Sequence, residues 1–221
     1  MTLSPSIIYR SARLYELAML LLYGRHYYSR YRAIAELIPE AATVVDVCCG
    51  PGVLYTRYLR KKNVAYTGLD MNEHFVEEMV RRGVQAFVWD MRSDAALPRG
   101  DYVVMQASLY HFLPNPRAVL DRMLAAARKK VIVSEPIRNL SDSNSTLLSA
   151  IGKRFTNAGS GAENLRFSET SLDELMATFG SRVERSFLIP GGREKVVVLR
   201  SGFEESGSES PNEPRLPDNL S

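Results

Sequence analysis

Cysteine is almost missing from this chain of 221 residues: Cys48 and Cys49 are the two, and they are neighbours. Adjacent thiols give neither a disulfide framework nor the spaced pairs of a structural metal site. A disulfide-stapled scaffold and a zinc module are therefore set aside, and no metal dependence is expected. Long apolar runs are missing too. The longest near the N-terminus, Leu17 to Tyr23, is far short of the ~20 residues that cross a bilayer. No succession of charged, apolar and cleavage regions marks a signal peptide, so a cytoplasmic location is expected. Excess charge of one sign is also lacking, with 28 Lys and Arg against 25 Asp and Glu. The length suits one α/β domain with a full core.

What is present is organised around residues 43–55. Thr43 to Val47 is a β-branched run that reads as a buried strand. Gly50-Pro51-Gly52 breaks it, and a helical pattern follows. Glycine lets a backbone turn tightly and approach a ligand, since no Cβ intervenes. Asp46 stands just before this turn. A second acidic strand end is Asp70, placed where a carboxylate can accept from both hydroxyls of a ribose. A third is Asp90, closing Phe87-Val88-Trp89.

Strand and helix patterns alternate beyond Thr43. Strands are expected at about 43–48, 64–69, 84–89, 101–106 and 129–134, with helices at about 53–61, 72–82 and 115–127. That order implies a parallel sheet with right-handed crossovers. Two further strands, Arg182 to Ile189 and Glu194 to Arg200, are joined by Pro190-Gly191-Gly192, which implies an antiparallel hairpin. Ser171 with Glu174 reads as a capping box for a helix over about 172–179. Ahead of the sheet, apolar residues at helical spacing and a stop at Pro39 give a helical prelude over 5–38, carrying six tyrosines. Residues 136–169 are irregular, with a helix expected over 146–154. From Ser201 on, five acids face Arg215, a net charge of −4 that leaves +7 on the rest. That Ser-, Glu- and Pro-rich tail is expected to be disordered. The scattered basic clusters, such as Arg128-Lys129-Lys130, suit a solvated surface, with attraction to a substrate or membrane as the alternative.

Asp46-x-Cys48-Cys49-Gly50-x-Gly52 followed by Asp70 resembles the cofactor site of class I S-adenosylmethionine-dependent methyltransferases, over about residues 10–200. Cys48 departs from the pattern, standing where its first glycine is expected. Tyr15-Glu16 with Gly24-Arg25-His26 and Arg30 is loosely similar to the opening segment of the quinone and phospholipid methyltransferase group. The resemblance implies a Rossmann-like class I methyltransferase fold: a mostly parallel seven-stranded sheet ending in an antiparallel hairpin, with an N-terminal helical lid. It implies a lid at 1–40, a cofactor-binding domain at 41–200 and the acidic tail at 201–221.

It further implies S-adenosyl-L-methionine as cofactor. Asp46 would lie near its amino-acid end, Gly50 and Gly52 would admit it sterically, Cys48 would belong to the same cofactor-binding set, and Gln106 would border its methionine part. Asp70 would take the ribose, Met71 would pack on the adenine, and Asp90 with the Met91 backbone would meet its edge. Tyr110 and His111 would face the acceptor as catalytic residues, because a similar segment in small-molecule methyltransferases ends in a His-aromatic pair. The imidazole suits a base, its ordinary pKa being near neutrality. Glu135 is a second, weaker candidate base. The acceptor is expected to be small, a lipophilic one and a lipid contact being left open. No Asn/Asp-Pro-Pro-aromatic segment speaks for nucleic acid. Two alternatives stand beside this reading. One is a cofactor-binding module without turnover. The other is a nicotinamide dinucleotide site, against which Tyr55 occupies the third glycine position of the Gly-x-Gly-x-x-Gly fingerprint.

Overall fold

The computed structural model describes residues 16–17, 19–20, 27–137 and 166–202. The helix expected over 146–154, most of the irregular 136–169 segment, most of the prelude's first helix and the acidic tail lie outside them.

Seven strands form one sheet in the order β3-β2-β1-β4-β5-β7-β6. They are β1 (Thr43–Val47), β2 (Ala65–Asp70), β3 (Ala86–Val88), β4 (Gly100–Gln106), β5 (Ala127–Pro136), β6 (Val183–Leu188) and β7 (Glu194–Arg200). Neighbours among β1 to β5 pair parallel; β7 pairs antiparallel with both β5 and β6. The seven-stranded, mostly parallel sheet with a closing hairpin is as the sequence implied. Strand order reverses between β1 and β4, so the carboxyl ends of these two strands open the crevice where ligands of such sheets bind.

The central strands are apolar on both faces because each face is covered, and period-two alternation divides their side chains between two cores. Val44, Tyr66, Val104, Ile132 and Val198 point into one. Val45, Val47, Val103, Met105, Val131 and Val133 point into the other. The first core is closed by α1 (Tyr27–Leu37) and α2 (Glu73–Arg81), through Tyr27, Tyr31, Ile34, Val76 and Met79. The second is closed by α3 (Pro116–Ala126) and α4 (Glu169–Ala177), through Leu120, Met123, Leu172 and Met176. The second helix of the prelude is thus a layer of the core. Among the described residues no helix is long and apolar enough to cross a membrane.

Three local expectations are corrected. The helix expected over 172–179 starts at Glu169, because the capping box joins Ser168 and Ser171: each side-chain oxygen accepts the other's backbone N–H, both at 3.0 Å. Serine can close the box from either side, and Glu174 takes no part. The helix expected over 53–61 is wound as a π-turn over Tyr55–Leu59 and a tighter turn over Arg60–Lys62. There the Thr56 hydroxyl donates to the Gly52 carbonyl at 2.9 Å, competing for the acceptor of the first turn. Strand β5 begins at Ala127, directly after α3, two residues before the expected start.

Candidate cofactor and acceptor site

The loop after β1 is held in a shape that side chains resist. Cys48, Gly50 and Gly52 all have left-handed backbones, with φ of 54°, 56° and 69°. Left-handed geometry costs a residue with a Cβ roughly 1–2 kcal/mol, which is the physical reason the resembled pattern expects glycine where Cys48 stands. The two glycines serve different ends. A Cβ on Gly50 would meet nothing within 4 Å, so the loop surface is open there. A Cβ on Gly52 would lie 2.4 Å from the Met79 sulfur. Gly52 therefore admits the α2 side chain, and the steric admission of a cofactor expected of both glycines rests on Gly50. Burial pushes both thiols, Cys48 and Cys49, to high pKa, leaving them unreactive.

Asp70 ends β2 beneath this loop. One carboxylate oxygen accepts the Gly50 N–H at 2.7 Å and the other the Asn72 N–H at 2.9 Å. Burial raises its pKa while these two donors oppose the rise. A carboxylate has about four acceptor positions, so two stay available for hydroxyls of a ligand. Asn72 then caps α2, accepting from the N–H groups of His74 and Phe75. Met71 beside it is 61% exposed. Asp90 is exposed and accepts the Arg92 N–H at 2.8 Å. The Met91 side chain is buried in the second core, and its carbonyl accepts from Arg122.

Asp46 is fully buried in the first core's side of the sheet. It accepts from the Tyr66 hydroxyl at 3.0 Å and from the Gln106 amide at 3.4 Å. Burial pushes its pKa up to about 7 against the pull of these two donors. The Gln106 carbonyl oxygen is buried without a partner. An ammonium donor beside it would satisfy that oxygen and favour the ionised Asp46. The open Gly50 surface, the spare positions of Asp70 and this orphaned oxygen fit the nucleoside and amino-acid ends of S-adenosylmethionine.

At the carboxyl end of β4 the chain turns sharply through Leu109–Phe112, a single turn of 3-10 helix. Glu135, at the end of β5, builds that turn: one oxygen accepts the N–H groups of Ser108 and Leu109, at 2.7 and 2.6 Å. Its other oxygen is buried and unpartnered. Sequence reading offered Glu135 as a minor base; the geometry makes it the anchor of the turn that carries Tyr110 and His111. These two rings lie 4.0 Å apart, centre to centre. Burial, then the charges of Arg166 and Arg92, lower the His111 pKa to about 4, so its imidazole is neutral near pH 7. Sequence reading missed both arginines, since neither lies in a motif.

Burial pushes the Glu135 pKa from the usual 4.5 up to about 8. Between those values the folded chain keeps a proton that the unfolded chain has released, so stability falls as pH rises through the window. Asp46 acts in the same direction between 3.8 and about 7. Glu135→Gln keeps an oxygen for the two N–H groups and cannot ionise. In urea unfolding at pH 5 and pH 8, the wild-type chain is expected to lose more stability than this variant. Equal losses would show that Glu135 is not held protonated.

With this geometry in view, comparison with known proteins is decisive for the family. The family described as methionine biosynthesis protein MetW matches residues 29–149, more than half of the chain. The chain belongs to the MetW family. Within it, β1 to β5 and the Asp46–Asp70 loop all fall inside the matched stretch. Trans-aconitate 2-methyltransferase of Mycolicibacterium gilvum is 36% identical over 107 residues, covering 48% of this chain and 40% of that protein. The chain thus spans about two fifths of the length of the curated relatives it matches. Among solved structures, magnesium protoporphyrin IX methyltransferase from Synechocystis with bound S-adenosylhomocysteine superposes with a TM-score of 0.59. It is 15% identical and covers 87% of this chain and 95% of its own. A SAM-dependent methyltransferase from Thermotoga maritima gives a TM-score of 0.61 at 20% identity, covering 88% and 98%. At such identities the likeness concerns the fold, which is that of class I S-adenosylmethionine-dependent methyltransferases.

Proposed function

We propose that this MetW-family chain binds S-adenosylmethionine at the carboxyl ends of β1, β2 and β4 and transfers its methyl group to a small acceptor. The observation that carries the reading is Asp70, which pins the open Gly50 loop while keeping acceptor positions for a ribose. When bound, the cofactor supplies an electrophilic methyl group, so the protein needs only to align the partners and exclude water. Alignment contributes roughly 7–11 kcal/mol in favourable cases. Gln106 and Asp46 would hold the ammonium end, and Met71 would cover the adenine. Tyr110 and His111 would face the acceptor, His111 as a neutral imidazole taking the acceptor's proton at a ring nitrogen. The relatives act on trans-aconitate, which supports a small-molecule acceptor. The aromatic turn would suit an apolar or unsaturated portion of it.

Calorimetry with S-adenosylmethionine, S-adenosylhomocysteine and NAD tests the cofactor. Asp70→Ala removes a charged acceptor and frees the loop, so binding of the first two is expected to weaken by about 1.5–3 kcal/mol, roughly 10- to 150-fold. Tight binding of NAD alone would end the methyltransferase reading. Binding without turnover on any acceptor in a labelled-cofactor screen of cell extract would favour a cofactor-binding module.

A further inference from the structure

The turn that carries Tyr110 and His111 is entered through a strained residue. Ala107 has a left-handed backbone, with φ of 48°, a shape that a Cβ resists. Such a shape persists where its surroundings over-determine it. Here two consecutive residues of β5 do so. The Ser134 carbonyl accepts the Ala107 N–H at 2.7 Å. The Glu135 carboxyl group accepts those of Ser108 and Leu109, at 2.7 and 2.6 Å. Three successive N–H groups at the start of the turn are therefore held by one dipeptide.

Successive side chains of a strand point to opposite faces of the sheet. Val131 and Val133 lie in the second core with Leu109, so Glu135 shares their side; Ile132 lies in the first core, so Ser134 faces the side that α1 covers. There the Ser134 hydroxyl donates to Glu194 at 2.6 Å. Glu194 in turn pairs with Arg30 of α1 at 2.9 Å. All four residues are buried, and the charges of Glu194 and Arg30 also act on the Glu135 carboxyl group. A buried ion pair often gives little stability over an apolar pair of the same size, because both charges lose water. It does fix one geometry, since a planar guanidinium and a carboxylate meet in few orientations.

We infer that Arg30 and Glu194 are positioning residues for the turn that faces the methyl acceptor. Through the Ser134 hydroxyl they fix the end of β5, and with it the Ser134–Glu135 anchor that sets the path from Ala107 to Phe112. Helix α1 is then part of the framework of the acceptor side as well as a cover for the first core. The inference rests on the methyl-transfer reading for what the turn faces, but the coupling itself does not.

Amide hydrogen exchange, followed by NMR on the full chain without cofactor, tests the coupling. Arg30→Met with Glu194→Leu removes the pair, while Ser134→Ala cuts the hydroxyl link and leaves the pair in place. Both variants should speed exchange at Ser108 and Leu109 by roughly tenfold or more relative to Val45 and Val103 of the central strands, which report global opening. The His111 ring resonances should shift with the turn. Arg30→Lys, which keeps a charge for Glu194, should show less of either effect. Arg82→Gln, from the surface pair with Glu78, should show neither. Exchange that accelerates equally at all four amides would make the pair a general clamp on α1. Exchange at Ser108 and Leu109 that stays as in the wild type in both variants would cut the link to the turn. Either result overturns the inference. Calorimetry with S-adenosylhomocysteine on the same samples should give equal affinities, because the Asp70–Gly50 loop is not part of this network. A loss in the variants alone would place the pair behind the cofactor loop and also overturn the inference. Absence of binding by the wild-type chain would instead overturn the methyl-transfer reading and leave the coupling standing.

Discussion

His111→Ala is expected to lower turnover by about 10²–10⁴-fold, the usual contribution of a positioned base, while S-adenosylmethionine affinity stays unchanged. The ring stands on the Glu135-anchored turn, away from the Asp70 and Gly50 groups that would hold the nucleoside. Its low pKa gives the pH dependence a definite sign. With the free imidazole at about 4, the base is unprotonated throughout the neutral range. The acid limb of kcat/KM, which reports the free enzyme, should therefore fall near pH 4 rather than near 6.5. A limb near 6.5 would mean that neither burial nor the Arg166 and Arg92 charges depress the ring in solution. Full turnover in His111→Ala would remove the imidazole from the chemistry. A drop in stability without loss of turnover per folded molecule would mark it as a packing residue.

Arg30→Ala carries the largest expected effect on stability. Arg30 on α1 and Glu194 at the start of β7 form an ion pair at 2.9 Å, with side chains 4% and 7% exposed. The Ser134 hydroxyl adds a hydrogen bond to the other Glu194 oxygen at 2.6 Å. Removing the arginine strands a buried carboxylate, whose charge also raises the pKa of Glu135. Breaking such a pair costs about 3–5 kcal/mol. For a chain of this size that lowers the melting temperature by roughly 6–20 °C. The double replacement Arg30→Met with Glu194→Leu should recover most of the loss, since an apolar pair needs no desolvation of charge. An unchanged melting temperature in Arg30→Ala would show that Glu194 finds water or another donor. A double variant as unstable as the single one would show that shape rather than charge binds α1 to the sheet.

Much of this was legible in the chain itself. Alternating side-chain direction along β-branched runs, glycine at a turn with positive φ, and an acid at or within two residues of the end of each of three strands are local features, each set by a few neighbouring residues. They suffice for the order of elements, the parallel core with its closing hairpin, and the loop that would meet a cofactor. The limits appear where one position answers to a distant one. Gly50 and Gly52 look alike in sequence, yet one borders open space and the other Met79, because α2 returns over only one of them. Asp46 and Asp70 both end strands, but Asp46 is turned beneath the sheet onto Tyr66 and Gln106 while Asp70 reaches the loop. Glu135 became the anchor of the aromatic turn because parallel pairing of β4 with β5 brings the end of β5 beside the N–H groups of Ser108 and Leu109. Arg92 and Arg166 share one turn only through packing between elements far apart in the chain. Periodicity and turn chemistry act over a few residues and so are written in the sequence. Which buried acid finds a donor, and which arginines converge, depends on contacts between distant segments, and only the tertiary structure decided them.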